Sequence, residues 1–260
     1  IVSGTIKNRK DAIEYLTWTF MFRRLVRNPS YYGLEDATYE SLNAWLSNIL
    51  NTILDDLTYA GCVTCPDATP TAKSSLEITS LGVISSFYYM SYVTASYFDR
   101  MVRPDSSIEH LLELLCEAKE FEEIPVRHNE DKLNATLKDQ VELAPYNNCL
   151  DSPHIKTFLL LQAHFGQVKM PIADYSTDLK TVLDSTIRII QAYVDIAADK
   201  GYLSAVLNLM QLLQMIMQGR WHHESSLKVL PGLRDTNIEL LAKRGIDCIP
   251  QFLALSDKEA

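Results

Sequence analysis

Apolar positions along this chain recur mostly at helical spacing, and one segment adds a polar stripe to that rhythm. From Thr177 to Asp199 the sequence TDLKTVLDSTIRIIQAYVDIAAD contains no Gly or Pro, and Gly201 lies just beyond. Lys180, Asp184, Arg188, Gln191 and Asp195 fall four, four, three and four residues apart, so a helix puts them on one face. Leu179, Val182, Leu183, Ile187, Ile190, Val194 and Ile196 lie on either side. The pattern predicts a helix buried over most of its girth, with one narrow polar edge. That edge either meets bulk water or lines a channel inside a larger machine. On the residues alone, the mixed charge signs favour a solvated face.

Elsewhere the pattern predicts a helix over 10–27, closed by Asn28-Pro29, and a second from about Leu42 to Tyr59 with Gly61 as its stop. The second carries Leu42, Trp45, Leu46, Ile49, Ile53 and Leu57 on one side. Cys62–Cys65 and Leu76–Ile78 flank a polar stretch, which fits a short hairpin. Helices followed by a hairpin suggest a winged-helix unit over 1–78. Its second helix has Asp55 and Asp56 but no basic residue, so groove reading of DNA is disfavoured and a packing module is expected.

From Thr79 the chain reads as nearly all helix. Thr79–Val102 is expected as one long helix whose Phe87, Tyr88, Tyr89, Tyr92, Tyr97 and Phe98 enter a core. Ile108–Lys119 follows, capped by Ser106 or Ser107, and then an extended link Glu123–Arg127. A short helix starts with Asn129 as cap and Glu130 and Asp131 on the positive dipole end. Ser152-Pro153 opens a helix Pro153–Phe165. Leu203–Gln218 is apolar on two sides and is expected at the centre, and two short helices joined at Gly245 close the chain. The fold class is mainly α: a winged helix over 1–78, a helical bundle over 79–222 and a helix–loop–helix over 223–260.

The bulk properties narrow the function. A hydrophobic content of 47% in 260 residues is that of a globular chain. No apolar run approaches the roughly 20 residues of a membrane span, so no membrane partner is expected. The start, Ile1-Val2-Ser3-Gly4, has neither an initiator Met nor a signal-peptide pattern, and is expected to be a cut from a longer polypeptide. An IVxG start is also that of an activated trypsin-like protease, but no GDSGG-like segment follows. Net charge of −9 argues against clamping nucleic acid by bulk field. Yet Lys7, Arg9, Lys10, Arg23, Arg24 and Arg27 concentrate in the first thirty residues against only Asp11 and Glu14. That basic segment permits contact with nucleic acid or with an acidic partner. Five scattered cysteines suit reduced intracellular thiols, and the lone Cys62-Val-Thr-Cys65 lacks the second pair a closed zinc site requires.

No catalytic constellation emerges. The chain has no GxxxxGK[ST], GxGxxG, HExxH or GxSxG segment. His222 and His223 are adjacent and face apart. No catalytic residue, metal ligand or cofactor is therefore assigned to this stretch.

Taken together, these segments resemble a family. Tyr15–Gly33, YLTWTFMFRRLVRNPSYYG, resembles the winged-helix opening of the large Ski-like superfamily-two helicases. Phe121–Asp131, FEEIPVRHNED, is similar to the signature of their C-terminal helical domain, shared with the Sec translocation protein. Asp151–His164 and Gln218–Trp221 agree, and the likeness covers essentially the whole chain. Tyr175–Asp184 with Ile216–Trp221 is most similar to the second cassette of the signal-cointegrator branch, with the spliceosomal branch as the alternative.

The resemblance implies a non-catalytic C-terminal module of an ATP-dependent 3′–5′ helicase. ATP and Mg2+ would sit in two RecA-like domains upstream, and an immunoglobulin-like domain would follow. It implies that the striped helix is a ratchet touching single-stranded DNA or RNA. Lys180 and Arg188 would touch the strand, with Asp184 and Gln191 between them. Arg127 matches a family arginine that touches either nucleic acid or an internal carboxylate such as Glu120. The resemblance also implies roles in DNA alkylation repair and stalled-ribosome splitting, in nucleus and cytoplasm, with other complex subunits as partners. The alternative is a protein-docking platform, with the basic first thirty residues and the helix–loop–helix as docking faces.

Overall fold

The computed structural model describes residues 1–66, 71 and 74–255. Twelve α-helices and two very short strands are found among them. The chain forms two compact units, one of residues 1–102 with 195–201 and the other of residues 103–194 with 202–260. The first unit therefore continues past Ile78 as far as Val102.

In the first unit the expected helix over 10–27 is two, α1 (Arg9–Thr17) and α2 (Phe20–Arg27). Thr19 divides them. Its hydroxyl donates to the Leu16 carbonyl and accepts from the Phe22 amide, closing one helix while capping the next. Helix α3 (Tyr39–Tyr59) begins three residues earlier than its apolar pattern, because the Thr38 hydroxyl accepts from the Ser41 amide. It buries Leu46, Leu50 and Leu54 and leaves Ile53 exposed, so the buried stripe is rotated from the expected one.

The expected hairpin is present as β1 (Val63–Thr64) and β2 (Glu77–Ile78), antiparallel, with Val63 opposite Ile78. Residues 67–70, 72 and 73 of its polar tip lie outside the described residues. An isolated bridge joins Asn8 to Ser75 beside it. Ala12, Leu50, Leu54, Val63 and Leu76 form the core of this winged helix.

The long aromatic helix is also two, α4 (Ser80–Phe87) and α5 (Tyr92–Met101). Tyr89 takes a left-handed conformation between them at φ 49°, and Ser91 caps α5. The break turns Phe87, Tyr89 and Tyr92 outward, and of the six aromatics only Phe98 is fully buried. The expectation of an aromatic core is corrected accordingly.

In the second unit α6 (Ile108–Cys116) is capped by Ser107 rather than Ser106. Helix α7 (Glu130–Lys138) follows Asn129, which adopts φ 65° and makes no side-chain cap. The expected Asn129 cap is thus a left-handed corner, a conformation Asn tolerates better than most residues. Helix α8 (Pro153–Phe165) begins and ends as expected, with Ser152 accepting from the His154 amide.

Helix α9 (Ala173–Asp199) carries the polar stripe, and α10 (Leu203–Gln218) matches its predicted bounds. Two short helices, α11 (Asp235–Ala242) and α12 (Ile249–Leu253), end the described chain. The central helix of this unit is α8, not α10. Every residue from Ile155 to Ala163 is buried. Helix α10 packs on α6 and α8 through Leu209, Leu212, Met215 and Ile216, while Leu203, Leu207, Met210 and Met217 remain exposed on its second apolar side. Gln162 secures the loop after α7: it accepts from the Leu143 amide at 2.7 Å and donates to the Leu143 carbonyl at 3.1 Å.

Candidate nucleic-acid interface

The rotation of α9 about its axis decides which side chains it offers. Tyr175, Asp178, Val182, Thr186, Ile189, Tyr193 and Ile196 are buried, at spacings of three or four, and define its inner face. On the opposite side Lys180, Asp184, Gln191 and Asp195 are exposed and Arg188 is half-buried. The structure therefore brings the predicted stripe together on one accessible edge of a 27-residue helix. Asp195, which belongs to the first unit, accepts a 2.8 Å hydrogen bond from the Tyr88 hydroxyl.

Arg127 has a different setting. Its Nη1 lies 2.7 Å from Oδ2 of Asp178 and 2.9 Å from Oε1 of Glu130, and its Nη2 lies 3.2 Å from Oδ1 of Asp178. Nε faces Asp174 at 3.4 Å. Its carboxylate partners are thus Asp178, Glu130 and Asp174 rather than Glu120. These bonds hold the guanidinium pKa above its ordinary value, against the opposing effect of desolvation.

Behind Arg127 lies Lys156, whose side chain is 0% exposed. Its ammonium donates to Oε2 of Glu130 at 2.6 Å, Oδ2 of Asp178 at 2.7 Å and the Pro125 carbonyl at 2.7 Å. Three acceptors use all three ammonium protons, and the cation also sits 4.7 Å from the centre of the Tyr175 ring. For both Glu130 and Asp178, burial pushes the pKa up, but the hydrogen bonds from Lys156 and Arg127 outweigh it and hold each carboxyl below its ordinary value. Burial beside these two carboxylates pushes the Tyr175 hydroxyl up. That hydroxyl donates to Asn134 at 2.7 Å, and Asn134 donates in turn to the Leu150 carbonyl.

Sequence reasoning missed this network, although one signal was available. Lys156 is the lone charge in the run IKTFLLLQA, and a lone charge in a buried helix requires a partner. Asp178, in the striped helix but off the stripe, is that partner. Asn134 is buried and links Tyr175 to the Leu150 carbonyl in the same network.

The comparisons with known proteins agree with this architecture. Residues 78–253 match the Sec63 Brl domain family, and residues 1–67 match a winged helix-turn-helix domain. The chain belongs to the Sec63 Brl domain family and corresponds to a C-terminal region of Ski-like superfamily-two helicases.

Among relatives, it is 48% identical over 98% of its length to the DExH-box ATP-dependent RNA helicase DExH14 of Arabidopsis thaliana. It is 41% identical over 94% of its length to the activating signal cointegrator 1 complex subunit 3 of Homo sapiens. The human U5 small nuclear ribonucleoprotein 200 kDa helicase is 35% identical over 100% of the chain. The chain spans only 12%, 11% and 12% of these three relatives. The signal-cointegrator likeness read from Tyr175–Asp184 is thus matched by a higher identity than the spliceosomal one.

Proposed function

We propose that this chain is the non-catalytic module of an ATP-dependent 3′–5′ helicase and that the outer edge of α9 contacts the translocating strand. The observation that carries the reading is the accessibility of Lys180, Asp184, Arg188 and Gln191 along one helix edge, while the opposite face is fixed in the core. Lys180 and Arg188 lie eight residues apart, about 12 Å along the axis, a span of roughly two phosphates of an extended strand. They would neutralise phosphates, and Gln191 would offer a hydrogen bond to base or sugar. Of the five residues singled out by the resemblance, Arg127 serves this edge from behind: its guanidinium is taken up by Asp178, Glu130 and Asp174.

ATP and Mg2+ would belong to RecA-like domains elsewhere in the same polypeptide, which would also be the module's first partners. Work on single-stranded DNA or RNA in nucleus and cytoplasm, with roles in alkylation repair and stalled-ribosome splitting alongside other subunits, is proposed on the family likeness alone.

The test is Arg188→Glu in the full-length helicase. It should impair unwinding, and the loss of one phosphate contact should flatten the dependence of log affinity on log salt by about 0.7 for a single strand. Unchanged unwinding with an unchanged salt slope removes the reading.

A further inference from the structure

We infer that the outer face of α1–α2 in the winged helix is a docking surface for an acidic protein segment. The stretch from Tyr15 to Leu34 contains three arginines, one Trp, two Phe and three Tyr, but no Lys, Asp or Glu. This is the composition of protein–protein interface cores, where aromatics and Arg are enriched and Lys and acidic residues depleted.

The structure places that chemistry outside. Trp18, Phe20 and Tyr31 are 81%, 75% and 68% exposed, and Arg23, Arg24 and Arg27 are exposed on α2. Of the eight residues of α2 only Leu25 is buried. Among the described residues none of the three arginines has a salt bridge, and Arg24 stacks its guanidinium 5.2 Å from the centre of the Tyr31 ring. Such stacking pre-orients the arginine at little further entropy cost on binding.

Charge selects the occupant. Three unpaired positive charges stand on a chain of net charge −9, so the field of this patch is opposite to that of the body around it. A carboxylate-rich segment with apolar side chains satisfies both halves, its acids on the arginines and its apolar groups on Trp18 and Phe20.

The experiment uses the full-length helicase and three probes: a random Glu–Tyr copolymer, poly-Glu of equal charge, and a twenty-residue oligothymidine. The copolymer should bind at low salt, more tightly than poly-Glu. Arg23→Glu/Arg24→Glu/Arg27→Glu should weaken it at least tenfold, and Trp18→Ser/Phe20→Ser should do so without altering net charge. All five positions are at the surface, so each variant should keep the helical circular dichroism of the parent. Where the charge reversal fails to fold, Arg→Gln at the same three positions repeats the measurement. Lys180→Glu should leave copolymer binding unchanged, which separates this surface from the α9 edge. Absence of copolymer binding, equal binding of poly-Glu, or oligothymidine binding that the arginine variants abolish would each overturn the assignment.

Discussion

The ammonium of Lys156 lies 2.7 Å from Oδ2 of Asp178, the same oxygen that Arg127 reaches at 2.7 Å from the half-exposed side. One carboxylate oxygen thus receives two cationic donors, one fully buried and one at the surface. Asp178 is on the inner face of α9, two residues before Lys180, so the pair fixes the rotation that presents the polar edge. Replacing Lys156 by Met should cost about 3 kcal/mol. The loss comes from leaving Glu130 and Asp178 in a buried site with only Arg127 as cation. The magnitude is read from the denaturant midpoint at pH 7, and the double variant Lys156→Met/Asp178→Asn should lose less than the sum of the two singles.

The same network gives the chain an acid-sensitive contribution. Glu130 and Asp178 are held below their ordinary values of 4.5 and 3.8. Groups whose folded pKa is depressed stabilise the fold above the unfolded pKa, and that stabilisation is lost as pH falls through the folded value. Full stabilisation is therefore expected above about pH 5 and progressive loss below 4.5. The stability gap between the parent and Glu130→Gln/Asp178→Asn should be constant from pH 7 to 5 and narrow below that. A gap that widens on acidification would reverse the sign of this assignment.

What the sequence disclosed follows a physical division. Periodicity gave α8 and α10 their termini, helped at α8 by Ser152-Pro153, which acts locally, and the structure adds Gly219 as the left-handed cap of α10. The stripe on α9 was equally legible, since spacing alone places residues on a face. The breaks at Thr19 and Tyr89 were not, because a capping Thr and a left-handed Tyr interrupt no apolar period. The Lys156–Glu130–Asp178–Arg127 cluster draws on three separate segments, and no local pattern reports which acid a buried lysine meets. The orientation of the aromatics in α4 and α5 was likewise set by the break between them.

Close approach of α4 to the hairpin makes Gly82 a second point of fragility. A Cβ built there would lie 2.1 Å from the Cys62 carbonyl oxygen and 2.5 Å from Ile78 Cδ1. Backbone on one side cannot yield as a flexible side chain would, so Gly82→Ala should destabilise the first unit by about 3 kcal/mol, the upper end of overpacking effects. Gly33→Ala is the control. Gly33 adopts φ 76° with nothing within 4 Å of a Cβ, so its cost should be the backbone strain alone, roughly 1–2 kcal/mol. Hydrogen exchange confined to residues 1–102 should report both changes, and equal losses for the two variants would show that the hairpin gives way.

Asp184 offers the sharpest test of the α9 edge, because its sign is opposite to that of its neighbours. It is exposed between Lys180 and Arg188, four residues from each, and repels any phosphate those two attract. Asp184→Lys removes one negative charge and adds one positive charge without touching the buried face. If a strand runs along this edge, affinity of the full-length helicase for oligothymidine should rise severalfold at low salt. The salt slope should steepen by about 0.7 for the added phosphate contact. Lys180→Glu and Arg188→Glu should move both quantities the other way. Nonspecific attraction by net charge would instead give the same response to a reversal at exposed Glu14 on α1, so Glu14→Lys is measured beside it. A site-specific edge predicts a larger gain at 184 than at 14, and equal gains would mean that α9 contributes only charge.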